Sequence, residues 1–116
     1  MIQILHNVSC SKSNAAVEMV SENNISCAIR NFIENPLNAE EIKEVLKKLN
    51  RPVMDIVRTN EEIFQTKFAH KTMTENEIIN MLVDNPILLQ RPIIIKDDKA
   101  IIGRPSHLID EFLQEK

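Results

Sequence analysis

Four short β-rich runs limit what this chain can fold into more than any other feature. They are "IQIL" at residues 2–5, "SCAIRNFI" at 26–33, "PIIIK" at 92–96 and "AIIG" at 100–103. Runs this short, with many β-branched residues and turn signals at their ends, read as strands. Between the first two, Ala16, Val17 and Val20 recur at helical spacing, which predicts a helix from about Ser13 to Glu22. Between the last two stand only Asp97, Asp98 and Lys99, a hairpin-like interval. The tail "PSHLIDEFLQEK" pairs Leu108 with Phe112 and Ile109 with Leu113 at i, i+4, a closing helix. The order is therefore β-α-β, a helical middle, then β-β-α.

The middle carries the clearest helix. Ile42, Val45, Leu46 and Leu49 fall at i, i+3, i+4, i+7, and Asn38 with Glu41 has the form of a capping box at its start. "RPVMDIVR" and "NEEIFQTKF" read as short helical segments. Thr74 with Glu77 repeats the capping pattern ahead of Ile78, Met81 and Leu82, and Pro86 ends that helix near Asn85. A βαβ unit joined to a ββα unit is the thioredoxin-like plan: an α/β fold with a four-stranded mixed sheet. Here it carries a helical insertion over about 38–85, within a single domain spanning 1–116.

At 116 residues such a domain buries a real core without disulfide or metal staples. The net charge of −3 and an aromatic content of 3%, with no Trp or Tyr, leave neither a basic face nor stacking platforms for nucleic acid. No apolar run approaches membrane-spanning length. "MIQILHNVS" has neither the basic start nor the apolar length of a signal peptide, so the expected location is the cytoplasm. Thiols stay reduced there. A single glycine, Gly103, leaves no phosphate-binding glycine loop, and no metal site is expected.

The chemistry centres on "HNVSCSKS". The strand-to-helix step sets Cys10 just before a helix, where backbone N–H groups lack intrahelical partners and the helix dipole is positive. Both favour thiolate over thiol, and the same N–H groups cradle an anion. Lys12 adds positive charge, and Ser11 and Ser13 could donate hydrogen bonds to the sulfur or to an oxyanion. A small buried cysteine followed by a helix cap would give the same string. His6, four residues before Cys10, is either a satisfied histidine at a strand end or a group that tunes the thiolate. Cys27 lies in a separate strand and reads as core.

Arginine precedes proline three times. Arg51-Pro52 follows a helix and reads as a loop. Arg91-Pro92 leads into a strand, where proline belongs at the first residue and where a cis bond is tolerated. Arg104-Pro105 opens the last helix, a position proline suits.

Four fragments together resemble the ArsC family, the thioredoxin-like arsenate reductases coupled to glutaredoxin, and most of all its shorter members. "LHNVSCSKS" is similar to a YHN-P-x-C-x-x-S pattern, "VRTNE" carries R-x-N, "DNPILLQRPIII" carries NP-x-L-x-x-RP, and "IIGRPSHLI" follows. They occur in family order across nearly the whole chain. The resemblance implies Cys10 as nucleophile, Arg58, Arg91 and Arg104 as the arginines that hold the oxyanion, and Pro92 as a cis-proline. It also matches His6, Asn7, Ser13 and Asn60 to supporting positions, which Lys12 joins by its charge alone, while Arg51 matches nothing catalytic. The chain departs from the family pattern at Val8, commonly proline, and at Asn14, commonly arginine.

The activity implied is reduction of arsenate or a similar oxyanion, with glutathione as co-substrate, glutaredoxin as partner and no bound cofactor. Guanidinium forks suit such tetrahedral anions. A second thiol from glutathione would explain Ser13 where a disulfide oxidoreductase has cysteine. The expected state is a monomer, with no nucleic-acid or membrane partner. Two other readings stay open: a thiol oxidoreductase of this family with another substrate, and an Spx-like redox-sensing regulator of RNA polymerase.

Overall fold

The computed structural model describes residues 2–7, 9–22, 27–103 and 107–114. It forms two compact units, Met1–Asn35 with Arg91–Lys116, and Pro36–Gln90.

In the first unit four strands form one sheet in the order β2-β1-β3-β4: β1 (Ile2–His6), β2 (Cys27–Asn31), β3 (Ile93–Lys96) and β4 (Lys99–Ile102). β1 and β2 are parallel, and β3 runs antiparallel to both β1 and β4. The helices are α1 (Ser11–Glu22) and α5 (His107–Gln114). This is the mixed four-stranded α/β sheet of the thioredoxin-like plan. Side chains alternate along a strand, so Ile2 and Ile4 share a face and meet Ala16 and Val20 of α1 and Ile109 and Phe112 of α5. Ile4 lies opposite Ile94, and both are fully buried. Each such side chain contributes about 1.5–3 kcal/mol through burial. Leu5 and Ile93, paired on the opposite face, are buried too.

Two boundaries differ from the sequence reading. α1 starts at Ser11 rather than near Ser13, because the Cys10 carbonyl already accepts the Asn14 N–H at 3.0 Å. Ser11 and Lys12 are exposed and polar, so no apolar periodicity marks that turn. β2 stops at Asn31, whose side-chain oxygen takes the Ile33 N–H at 3.1 Å and turns the chain. The β3–β4 turn is two residues long, since Lys99 pairs with Lys96. Asp97 there adopts φ 56°, a left-handed backbone that short polar side chains tolerate.

The second unit holds α2 (Ala39–Leu49), α3 (Glu62–Lys67) and α4 (Glu75–Asp84), with 3-10 turns at Val53–Ile56 and Pro86–Leu88. α2 packs on α4, and both 3-10 turns also meet α4. α2 buries the four residues its periodicity selects, Ile42, Val45, Leu46 and Leu49. Both capping boxes form: Asn38 and Glu41 exchange bonds of 2.9 and 3.0 Å, and Thr74 and Glu77 of 3.2 and 3.0 Å. Among the described residues no helix is long and apolar enough to cross a membrane.

Candidate active site

The turn from β1 to α1 is built around Asn7. Its side-chain Oδ1 accepts the Ser9 N–H at 2.9 Å and its carbonyl accepts the Cys10 N–H at 3.0 Å. An asparagine side chain that bonds the backbone two residues on reproduces a tight turn within one residue. Cys10 follows as the residue capping α1. The amides of Ser11, Lys12 and Ser13 precede the first intrahelical bond, the one donated by Asn14. The helix presents its positive end there, an environment of the kind that favours thiolate over thiol. Cys10 is half-buried, shielded in part while still reachable by a reagent. Lys12 and Asn14 are exposed on the same first turn.

Beneath this turn two polar side chains are sealed in. His6 is 6% exposed and Ser13 is 0% exposed. Ser13 Oγ lies 2.6 Å from His6 Nδ1 and accepts the Asn7 N–H at 3.1 Å. Burial holds the His6 pKa below its ordinary value, because the charged ring has lost its hydration. That loss favours the neutral ring.

Sheet register brings a second group to this end. β1 and β3 pair up to Leu5 opposite Ile93, so His6 and Asn7, which follow Leu5, leave the sheet at the same end at which Arg91 and Pro92 enter β3. The Arg91–Pro92 peptide bond is cis. Arg91 is 3% exposed, and its guanidinium lies 5.9 Å from the centroid of the Phe32 ring. That is a cation–π distance. Phe32 continues β2, and its N–H reaches the His6 carbonyl at 3.2 Å. Gly103, at the end of β4, donates its N–H to the Pro92 carbonyl at 2.9 Å. A Cβ on Gly103 would stand 3.0 Å from both Pro92 Cγ and Ile109 Cδ1, so the glycine is what lets this corner close.

His6, Asn7, Cys10, Ser13, Arg91 and Pro92 thus gather at the carboxyl ends of β1 and β2. Open α/β sheets bind ligands at that edge. Arg58 and Asn60 belong to the other compact unit. The Arg58 N–H bonds the Leu88 carbonyl at 2.7 Å beside a Val57–Leu89 bridge, with its side chain half-buried, and Asn60 is exposed. Arg104, matched to the third arginine, and Val8 lie outside the described residues. Phe32 and Gly103 escape a reading of the sequence. The first looks like one more strand residue, and the second gives no signal beyond being the chain's lone glycine.

Cys27 sits at the other end of the sheet. It pairs with Ile2 and packs against the core, and neither cysteine is in a disulfide. Four residue steps along β2 separate it from Asn31, the partner of His6, about 13 Å of strand. A disulfide needs Cα atoms within about 7 Å.

A family model for the ArsC family matches residues 5–112. The chain belongs to that family. Its relatives include an uncharacterised Escherichia coli protein, YfgD, 31% identical over 97% of this chain and 96% of that one. An arsenate reductase from Neisseria meningitidis is 29% identical, with 97% of each chain covered. A candidate arsenate reductase from Yersinia pestis superposes with a TM-score of 0.90 at 30% identity, over 96% of this chain and 99% of that one.

Proposed function

We propose that this ArsC-family protein is a one-thiol arsenate reductase of the cytoplasm. The Cys10 thiolate attacks arsenic in arsenate, forming an S–As bond and expelling one oxygen as hydroxide or, with a proton, water. The thiol of glutathione then attacks the Cys10 sulfur. The S–As electron pair passes to arsenic, which leaves as arsenite reduced by two electrons, and a disulfide joins Cys10 to glutathione. A glutaredoxin thiol exchanges that disulfide and regenerates Cys10. Arg91 holds the oxyanion through paired, charge-assisted hydrogen bonds, the amides at the start of α1 add to the cradle, and the family resemblance adds Arg58 and Arg104 to the same task.

The observation that carries this reading is that Cys10, at the cap of α1, and the buried Arg91 stand at the same end of the sheet. Relatives named arsenate reductase, aligned over nearly their full length, support the substrate. Ser13, buried where a C-x-x-C switch has its second thiol, weighs against a redox-sensing regulator. The test is reduction of arsenate coupled to glutathione and glutaredoxin. Wild type reduces arsenate and Cys10→Ser does not. Turnover that survives in the variant removes Cys10 from the mechanism.

A further inference from the structure

Ser13 is the most completely buried polar side chain at this end of the sheet, at 0% exposure. Its oxygen reaches back from the first turn of α1 to the last residues of β1. A hydroxyl has one hydrogen and two acceptor lone pairs. The Asn7 N–H, at 3.1 Å, uses one lone pair. The hydroxyl hydrogen, sealed from water, needs an acceptor, because a buried donor left unmade retains its full desolvation cost. His6 Nδ1 lies 2.6 Å away, and a neutral ring offers an acceptor at one of its two nitrogens. When Nδ1 accepts, the ring proton resides on Nε2.

We propose that Ser13 is a positioning residue for Cys10. By donating to His6 Nδ1 and accepting from the Asn7 N–H, it ties α1 to β1, closes the turn that presents the thiol, and fixes His6 as its Nε2–H tautomer. The inference rests on the reading of Cys10 as the reactive thiol, and it gives Ser13 a task separate from contact with sulfur or substrate. Cys10 lies inside the loop that the Ser13 bonds close. Those bonds add to the Asn7 turn in holding the first turn of α1, and with it the amides of Ser11, Lys12 and Ser13, against the end of β1. A cysteine at this position would exchange a strong donor and acceptor for a weak one. The serine is thus required by the turn and is no relic of a second redox thiol.

Nitrogen-15 NMR of the full wild-type chain at neutral pH tests the tautomer without any substitution. His6 is expected as Nε2–H, and an Nδ1–H ring, or a rapidly averaged pair, overturns the proposal. Ser13→Ala is expected to mix the two tautomers and to raise the pH midpoint of Cys10 alkylation by about half a unit, the scale of a helix-end interaction. Ser13→Thr, which keeps the hydroxyl, restores both readings. An alanine variant with tautomer and midpoint unchanged also overturns it. If wild-type Cys10 alkylates with an ordinary midpoint, the proposed function fails instead, and the tautomer remains a separate result.

Discussion

His6 is nearly sealed from water with its Nδ1 against Ser13, and burial lowers its pKa below the unfolded value of about 6.5. Between the lowered folded value and the unfolded one, the unfolded chain binds more protons, so stability rises with pH there. The contribution is full above the unfolded value and is lost as pH falls through the folded one. Urea-unfolding midpoints are therefore expected to drop on going from pH 7.5 to 5.5 in wild type and to drop less in His6→Gln. Equal drops in the two proteins would show that His6 does not carry the effect. The sequence offers His6 as a candidate by its place before Cys10, but its burial and its bond to Ser13 depend on a contact across seven residues of chain. Phe32 beneath Arg91 was less legible still, since that pair exists only once β2 and β3 lie in the same sheet.

At the level of elements, local chemistry was the most readable part of the chain. The two capping boxes need only residues three apart, and both form as the spacing predicts. Glu77 shows the consequence: the Thr74 N–H first, and the Thr74 hydroxyl next, hold its carboxylate below the ordinary pKa. That contribution to α4 is present above the unfolded carboxylate value and is lost as pH falls through the folded one. Replacing Thr74 by Ala is expected to cost about 1 kcal/mol in chemical denaturation. A change within error would mean that α4 does not rely on its cap. The start of α1 was harder to read, because its first turn, Ser11 and Lys12, is exposed and leaves the helix to be set by the Asn7 turn.

For the molecule as a whole, the order of strands and helices was legible from periodicity, whereas the pairing that assembles the site was not. Register decides which ends of the strands meet, and it sets Cys10 and Cys27 at opposite ends of one sheet. Cys27→Ser is accordingly expected to leave arsenate reduction within about twofold of wild type, since the change is confined to a half-buried side chain at the core margin. A loss as deep as that of Cys10→Ser would return Cys27 to the mechanism. What matters most is whether Cys10 ionises more readily than an ordinary cysteine and faces an oxyanion site. The most direct measurement is the pH profile of Cys10 alkylation, read on the Cys10 peptide by mass spectrometry with and without arsenate. A midpoint below the ordinary cysteine value of about 8.5 and protection by arsenate are expected. A midpoint at or above that value, with no protection, would contradict the proposed function.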